Sequence, residues 1–453
     1  MKRHFRAFGL AGVLGLVSPV GAEAPRPNIL LIYTDDHGYG DVSTYGESDV
    51  RTPNIDRIAT GGMLFTGMRA NCTVCSPSRA ALLTGRHQDR VGVPGVVRTG
   101  KENSWGYFDP SVPTLADELK RAGYQSALVG KWHLGLESPN TPNERGFNFF
   151  HGFLGDMMDS YTGHRRHGHN YMRRDAVVIE PEGHATDLFS RWAGDYLKKR
   201  AEEKGGRPFF LFLAYNAPHF PIEPPSEWLA KVKERAPEMD GKRASNVAFV
   251  EHLDHGIGMV LDALEESGLK EKTLVVFTSD NGGSIPHAQD NGPWRGGKQD
   301  HYDGGLRVPF MASWPGRIEP SSRCDYEGLV FDLFPTFLEL AGGVATEPEE
   351  LDALSLVPLL RGGRIEEPRD LYFVRREGGR HYAGKSYEAL IRGDWKLLRN
   401  EPASALELYN LAEDPGETKN LADKKPKIYN ELAAALRRQI QRGGTVPWQK
   451  PED

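Results

Sequence analysis

Four clusters of polar residues each follow an apolar run that has the length of a buried β-strand. The apolar runs cover residues 28–34, 125–130, 209–215 and 273–279. The clusters that follow them are Asp35-Asp36-His37, Lys131-Trp132-His133, Asn216-Ala217-Pro218-His219 and Asp280-Asn281. Carboxylates and amides hold hard cations, lysines attract anions, and imidazoles transfer protons. These side chains together indicate a catalytic site if the fold brings the strand ends together.

The segments between the apolar runs predict helices over residues 114–122, 185–201 and 245–267. Strands that alternate with helices predict an α/β fold, in which a mostly parallel sheet is covered by helices on both faces. Ligands bind such sheets beyond the carboxyl ends of the strands. We therefore expect the four polar clusters to line one site.

A further reactive group is Cys75, which lies four residues before Arg79. Ser76 is predicted to cap a helix that begins at Pro77 and ends at Gly85. Cys75 would then lie at a helix N-terminus, where free backbone N–H groups favour an anionic substrate or nucleophile. A cysteine in this position can also serve only as a small apolar packing residue.

A metal site is predicted from four residues that offer oxygen ligands. They are Asp35, Asp36, Asp280 and Asn281. Oxygen donors favour a hard cation, so Ca²⁺ is expected here rather than Zn²⁺, which prefers nitrogen and sulfur. The alternative is that each residue only caps a helix or fixes a turn.

The composition limits the classes of function. A chain of 453 residues with a net charge of −6 is large enough for one large domain and one small one, and it does not suit a general nucleic-acid binder. Its three cysteines are too few for a disulfide scaffold. Whether Cys72 and Cys324 pair is left open.

The N-terminus has the pattern of a signal peptide. Basic residues at positions 2, 3 and 6 precede an apolar stretch over 7–20, and small residues at 22 and 24 offer a cleavage site. The stretch is short for a membrane span and contains Pro19. We therefore expect residues 1–24 to be removed and the protein to be periplasmic or secreted, with no membrane span.

The sequence pattern changes after about residue 345. An acidic linker is predicted at 347–350, followed by strands over 371–374, 387–392 and 395–399 and an amphipathic helix over 427–441. These elements predict a small α+β subdomain over residues 346–453, packed on a catalytic domain over residues 25–345.

Several of these motifs together resemble the type I sulfatases. The motifs are Asp35-Asp36-x-Gly38, Cys75-Ser76-Pro77-Ser78-Arg79, Gly130-Lys131-Trp132-His133, Ala217-Pro218-His219, Asp280-Asn281-Gly282-Gly283, Gly296-Gly297-Lys298 and, near the C-terminus, Trp395-Lys396-Leu397. The resemblance covers nearly the whole mature chain. It implies the alkaline-phosphatase-like fold, in which helices sandwich a large, mostly parallel mixed sheet.

The resemblance implies two cofactors. Cys75 is expected to be oxidised to formylglycine by a formylglycine-generating enzyme or an anaerobic sulfatase-maturing enzyme. Ca²⁺ is expected to be held by residue 75 together with Asp35, Asp36, Asp280 and Asn281. One hydroxyl of the hydrated aldehyde would attack sulfur in line, and the other would help to expel sulfate.

The resemblance also implies catalytic roles for the remaining polar residues. Lys131 and Lys298 would hold the sulfuryl oxygens, and His219 would protonate the leaving alcohol. His133 would handle the proton of the diol, and Arg79 would hold the diol in position.

The substrate is predicted less directly, from a basic and aromatic loop at residues 165–171. An exported sulfatase with such a loop is expected to act on a sulfated carbohydrate, such as a galactose- or hexosamine-containing glycan. The alternative is a solvated surface loop. Candidate substrate-binding residues are Trp105, Arg166, His167, His169 and His301, beside Lys131, His219 and Lys298.

Two other functions remain open from the sequence. One is a formylglycine-dependent phosphonate or phosphodiester hydrolase of the same superfamily. The other is an inactive calcium-dependent glycan-binding homologue. A two-zinc phosphatase is disfavoured, because the motifs do not supply the additional histidine and aspartate ligands that it needs.

Overall fold

The structure is a computed structural model that describes residues 26–447 except for 47, 101–103, 204 and 379–385. The predicted signal peptide, residues 1–24, lies outside the described residues. Within the described part of the chain, no helix is both long and apolar enough to cross a membrane.

The main element is a ten-stranded mixed sheet in the order β12-β2-β11-β10-β1-β9-β3-β4-β7-β8. Its strands are β1 (Asn28–Thr34), β2 (Met63–Phe65), β3 (Gln125–Lys131), β4 (Phe149–Phe153), β7 (Met172–Arg174), β8 (Val177–Val178), β9 (Phe209–Ala214), β10 (Thr273–Ser279), β11 (Phe310–Ser313) and β12 (Ser322–Cys324). A separate hairpin contains β5 (Arg165–Arg166) and β6 (His169–Asn170). The four strands predicted from apolar runs are β1, β3, β9 and β10, which are parallel neighbours.

Helices cover both faces of this sheet. The described α-helices are α1 (Pro53–Thr60), α2 (Cys75–Thr84), α3 (Leu115–Arg121), α4 (Ala185–Glu202), α5 (Ser226–Arg235), α6 (Gly241–Glu266), α7 (Asp303–Leu306), α8 (Leu333–Leu340), α9 (Val357–Leu360) and α10 (Pro426–Gly443). Alternate residues of β1 belong to two different apolar cores, with Leu31 in one and Leu30 in the other. The continuous apolar run of β1 therefore reflects burial on both faces of the sheet, as predicted.

The C-terminal residues form a four-stranded antiparallel sheet in the order β13-β14-β15-β16. Its strands are β13 (Leu371–Arg376), β14 (Ser386–Arg392), β15 (Trp395–Arg399) and β16 (Glu407–Asn410). Helix α10 packs on this sheet through Leu432 and Leu436. The fold class is therefore confirmed, including the smaller α+β unit, whereas the exact domain boundaries stay a prediction.

A buried ion-pair cluster joins strand β15 of the C-terminal sheet to helix α7 and to Arg69, which follows β2. Lys396 of β15 donates to Asp303 at 2.8 Å and contacts Glu417 at 2.9 Å. Asp303 also accepts from Arg69 at 2.7 Å and from Arg307 at 2.8 Å. All five side chains are nearly buried, so removal of one partner would leave a buried charge unpaired. This arrangement explains why a buried lysine follows Trp395 in β15.

Candidate active site

The parallel pairing of β1 with β10 places two pairs of polar residues side by side. The register aligns Thr34 with Ser279, so Asp35-Asp36 and Asp280-Asn281 leave the sheet at the same edge. The backbone N–H of Asp36 donates to Asp280 Oδ1 at 3.2 Å, and Asn281 Nδ2 donates to Asp36 Oδ1 at 2.9 Å. All four side chains are fully buried. The strand-end clusters therefore meet as the sequence predicted.

Cys75 lies at the same edge of the sheet, at the start of α2. Its thiol and ligand atoms of Asp35, Asp36 and His219 all lie within 4.8 Å of one another. The predicted helix start was wrong by two residues, because the helix begins at Cys75 and its N-cap is Val74, which has no side-chain oxygen to offer. The hydroxyl of Ser76 instead accepts the N–H of Val97 at 3.1 Å. The helix ends at Gly85 in the left-handed conformation, as predicted.

Three cations neutralise the buried carboxylates. Lys131 forms an ion pair with Asp35, and Lys298 forms one with Asp36 at 2.7 Å. Arg79 donates to Asp280 Oδ2 at 2.8 Å. These cations surround the position of Cys75 and can hold the oxygens of a bound anion.

Lys131 reaches this position because β3 and β9 approach each other closely at Gly130. The φ angle of Gly130 is 108°, and a Cβ atom there would lie 1.9 Å from the carbonyl oxygen of Ala214. Only glycine fits this combination of conformation and contact. The glycine of the Gly130-Lys131-Trp132-His133 motif is therefore needed for packing beside the catalytic lysine candidate.

The acidic residues of the site are crowded. Burial and the neighbouring Asp35 carboxylate raise the pKa of Asp280 to about 8. Burial would also raise the pKa of Asp35, but Lys131, His219 and Arg79 together hold it well below its usual range. Asp35 Oδ1 and Asn281 Oδ1 are buried and have no hydrogen-bond partner among the described residues. Converging oxygen donors with unused lone pairs fit a divalent cation.

The Cys75 side chain is held as a neutral thiol. Burial raises its pKa, and the Asp35 carboxylate raises it further, although Lys131 and Lys298 oppose the shift. An unmodified cysteine at this position is therefore a poor nucleophile, because the thiolate is the reactive form. The expectation of an anionic substrate or an anionic nucleophile at the N-terminus of α2 stays a prediction.

Two histidines face this cluster in defined tautomers. His219 donates from Nδ1 to the carbonyl oxygen of Phe220 at 2.6 Å, and its Nε2 lies 3.7 Å from Asp36 Oδ2. His133 donates from Nε2 to the carbonyl oxygen of Val97 at 2.8 Å. His133 Nδ1 is buried and has no hydrogen-bond partner within the described ranges. In each ring, one nitrogen is fixed by the backbone and the other is available for catalysis.

Burial affects the protonation of both histidines. Burial and the Lys298 ammonium lower the pKa of His219 to about 4, although the Asp36 carboxylate acts in the opposite direction. Burial and the Lys131 ammonium lower the pKa of His133 well below its usual value. The nitrogen of His133 that lacks a partner is therefore an unprotonated acceptor.

The predicted substrate-binding residues are less closely grouped. Arg166 pairs with Asp156 at 3.2 Å and with Asp159 at 2.9 Å, so its charge is already neutralised. His167 and His169 lie on the exposed β5–β6 hairpin.

The other two candidates lie against the C-terminal sheet or the segment that follows β13. Trp105 is partly buried against Gly378, whose Cβ would lie 2.0 Å from the indole ring. His301 is fully buried and stacks on Tyr387 of β14, with ring centroids 6.0 Å apart. Contacts between these residues and a sugar stay a prediction.

Sequence reasoning missed the backbone groups that orient the two histidines. The carbonyls of Val97 and Phe220 carry no sequence signal, because every residue has one. Tyr161 was also missed, although its hydroxyl donates to the carbonyl oxygen of His219 at 2.8 Å. The three cysteines form no disulfide in the part of the chain that the structure describes.

Comparison with known families decides the class of protein. A sequence model described as Sulfatase matches residues 27–344. The chain belongs to the sulfatase family. A second model, described as N-sulphoglucosamine sulphohydrolase, C-terminal, matches residues 297–444. This sulfatase therefore has both the catalytic core and the C-terminal region of known relatives, and it is a sulfuric ester hydrolase.

Several characterised sulfatases are similar to this one over most of its length. The N-acetylgalactosamine-6-sulfatase of Canis lupus familiaris is 34% identical over 406 residues, which cover 85% of this chain and 74% of the relative. Arylsulfatase A of Bos taurus is 32% identical over an alignment of 471 positions, which covers 94% of this chain and 89% of the relative. The crystal structure of Ps i-CgsB in complex with k-i-k-neocarrahexaose matches with a TM-score of 0.84 and 28% identity, over 94% of this chain and 95% of that one.

Proposed function

We propose that this sulfatase removes sulfate esters from a galactose- or hexosamine-containing glycan, using a formylglycine made from Cys75 and a bound calcium ion. The observation that carries the proposal is the convergence of Cys75, the Asp35-Asp36 pair and Asp280-Asn281 at one edge of the sheet. Lys131, Lys298 and Arg79 balance the charge of the three carboxylates, so a bound divalent cation would give the site the net positive charge that a sulfate group needs.

The donor set supports calcium as the metal. Asp35, Asp36, Asp280 and Asn281 would hold the ion through oxygen atoms, and the buried oxygens without partners on Asp35 and Asn281 would gain a ligand. Hard oxygen donors favour Ca²⁺ over softer metals. When bound, the ion would supply positive charge for the sulfate oxygens and would relieve the repulsion that raises the pKa of Asp280.

The surroundings of residue 75 support its modification. The thiol is neutral and buried, whereas a sulfate ester needs a strong oxygen nucleophile beside positive charge. Formylglycine at this position would supply a hydroxyl group in its hydrated form. Arg79, which is fully buried on the same helix, would hold that group in position.

The remaining residues each meet one demand of sulfate ester cleavage. The bridging oxygen gains negative charge as its bond to sulfur breaks, so it requires a proton donor. Because Nδ1 of His219 is engaged with Phe220, Nε2 would deliver this proton from the imidazolium form, which the negative charge of a bound sulfate ester would favour. Lys131 and Lys298 would hold the sulfuryl oxygens, and His133 Nδ1 would accept a proton from the hydroxyl nucleophile.

Two observations support a carbohydrate substrate. Relatives that are 32–35% identical include N-acetylgalactosamine-6-sulfatases from several mammals. The similar Ps i-CgsB structure contains a neocarrahexaose. We propose export to the periplasm or secretion on the basis of residues 1–24, and maturation by a formylglycine-generating or anaerobic sulfatase-maturing enzyme.

A substrate panel tests this function. The purified protein, co-expressed with a maturing enzyme and supplied with calcium, is assayed for sulfate release from defined sulfated galactose and hexosamine saccharides. Matched 4-nitrophenyl sulfate and aryl phosphonate esters serve as reference substrates. We expect sulfate release from at least one saccharide and a higher kcat/KM for the aryl sulfate than for the phosphonate. The reverse preference would favour a phosphonate hydrolase, and no turnover with retained glycan binding would favour a binding protein.

A further inference from the structure

Three aromatic rings lead from the site toward the surface. The ring of Phe220 stacks on His219 at 4.8 Å between centroids, with an interplanar angle of 21°. Phe220 also stacks on His287, with ring centroids 4.6 Å apart and an interplanar angle of 11°. His219 is almost buried, whereas Phe220 and His287 are partly exposed. The stack therefore begins at the candidate acid for the leaving group and ends at the rim of the site.

Hydrogen bonds tie the loop that carries His287 to the segment that precedes His219. It follows the Asp280-Asn281 pair and forms a short 3₁₀ helix, Ile285–His287. The amide side chain of Gln289 accepts the N–H of Ser284 and donates to the carbonyl oxygen of Pro218 at 2.9 Å. These bonds connect the loop to the segment before His219, so the position of His287 relative to the catalytic histidine is set by the fold.

One ring nitrogen of His287 is engaged and the other is open. Nδ1 lies 2.8 Å from the hydroxyl of Ser284. No hydrogen bond of Nε2 is found among the described residues, and the ring is partly exposed. An oriented imidazole with a free nitrogen at the rim of a site can recognise a polar group of a ligand.

We propose that His287 binds a hydroxyl group of the leaving sugar through Nε2 and contributes to selection of a saccharide over a simple aryl ester. This inference rests on the proposed function, because the leaving group that His219 protonates must emerge beside the ring stack. Phe220 provides the apolar support that keeps the imidazole in its orientation.

The surroundings favour a hydroxyl over an acidic group as the ligand of His287. Burial, Lys298 and Lys242 lower the pKa of His287, against the opposing effect of the Asp36 carboxylate, so the ring is neutral at pH 7. A neutral imidazole donates or accepts at Nε2, depending on which way the Ser284 hydroxyl points. A sugar hydroxyl can be the partner in both cases.

The test compares His287→Phe with His287→Gln. Phenylalanine keeps the stack on Phe220 and removes both nitrogens, whereas glutamine keeps a polar group of similar reach. For each variant, kcat/KM is measured on 4-nitrophenyl sulfate and on the sulfated monosaccharide that the wild type hydrolyses fastest. We expect His287→Phe to lower the ratio of saccharide to aryl kcat/KM about 2- to 10-fold, as for loss of one hydrogen bond, and His287→Gln to restore part of it.

A matched control is His255→Phe, at an exposed histidine on α6 that contacts Trp228 with ring centroids 5.4 Å apart. This change should leave kcat/KM unchanged for both substrates. An unchanged ratio in folded His287→Phe would overturn the inference and leave the proposed function standing. A wild type that hydrolyses no saccharide would instead contradict the proposed function itself, and the role of His287 with it.

Discussion

His133 donates a hydrogen bond from Nε2 to the backbone carbonyl of Val97 at 2.8 Å, and this contact fixes which nitrogen of the ring is free. The N–H of Val96, one residue earlier, contacts Glu377 Oε1 at 3.4 Å. Arg98, one residue later, forms an ion pair with Glu377 at 2.9 Å. Glu377 follows β13 of the C-terminal sheet, so the C-terminal part of the chain holds the loop that orients a catalytic residue candidate.

The first prediction concerns Glu377 as a positioning residue. Glu377→Ala should lower kcat about tenfold and leave KM within about twofold, because His133 would lose its orientation while the sulfate-binding lysines remain in place. Steady-state kinetics with 4-nitrophenyl sulfate, together with a thermal melt, measures this split. Glu265→Gln on the exposed face of α6 is the control and should change neither constant. An unchanged kcat in a folded Glu377→Ala protein would contradict the role.

The second prediction concerns metal removal. Exhaustive dialysis against a chelator should abolish sulfate release and lower Tm, because three buried carboxylates would lose their shared cation. Added calcium at one hundred times its Kd should restore activity and about 2.7 kcal/mol of the free energy of unfolding. In the Asp280→Asn variant, calcium should restore little of this free energy of unfolding. Full activity after chelation, or recovery with zinc but not calcium, would contradict calcium binding.

The third prediction concerns the close approach of β3 to β9. Gly130→Ala should lower the free energy of unfolding by about 2–4 kcal/mol, because the new methyl group meets the carbonyl oxygen of Ala214 and the left-handed conformation is strained. Gly393→Ala is the matched control, since its φ of 55° is also positive but no atom lies within 4 Å of the added Cβ. It should cost only about 1 kcal/mol. Urea denaturation of both variants measures the difference, and equal costs would refute the packing argument.

The fourth prediction is a pH dependence of stability at Asp254. This buried carboxyl on α6 accepts the N–H of Ile55 at 2.8 Å, and burial raises its pKa to about 6. A carboxyl whose pKa is higher in the folded chain contributes stability at low pH, which is lost as pH rises through about 6.

Comparison with Asp254→Asn isolates this contribution. Relative to the variant, the free energy of unfolding of the wild type should fall by roughly 2 kcal/mol between about pH 4 and pH 6.5. Denaturant titrations at each pH measure it. Asp262→Asn, at an exposed position of the same helix, should leave the profile unchanged. A parallel pH profile for wild type and Asp254→Asn would contradict the assignment.

The parts of the fold that sequence predicted are those whose signal is local. The boundaries of β1 and β10 agree with their apolar runs, because a strand buried on both faces must be continuously apolar. The short edge strands β7 and β8 were not predicted, since two or three residues provide no periodic pattern. The prediction that Ser76 caps α2 was wrong, because its hydroxyl accepts the N–H of Val97 instead. This is a tertiary contact that the local sequence does not encode.

In the active site, too, features with a local sequence signal could be predicted, and features that depend on tertiary contacts could not. The meeting of Asp35-Asp36 with Asp280-Asn281 could be predicted, because neighbouring parallel strands deliver their carboxyl ends to one edge. The tautomers of His133 and His219 could not, because backbone carbonyls fix them. His287 was also missed, because it lies on a three-residue 3₁₀ helix and matches no motif.

The most direct test is mass spectrometry of the peptide that contains residue 75, taken from enzyme whose specific activity is measured in the same preparation. The account predicts an aldehyde at residue 75, in a fraction that rises in proportion to activity when a maturing enzyme is co-expressed. Cys75→Ala should fold and release no sulfate. A fully active preparation in which residue 75 is still an unmodified cysteine would contradict the account.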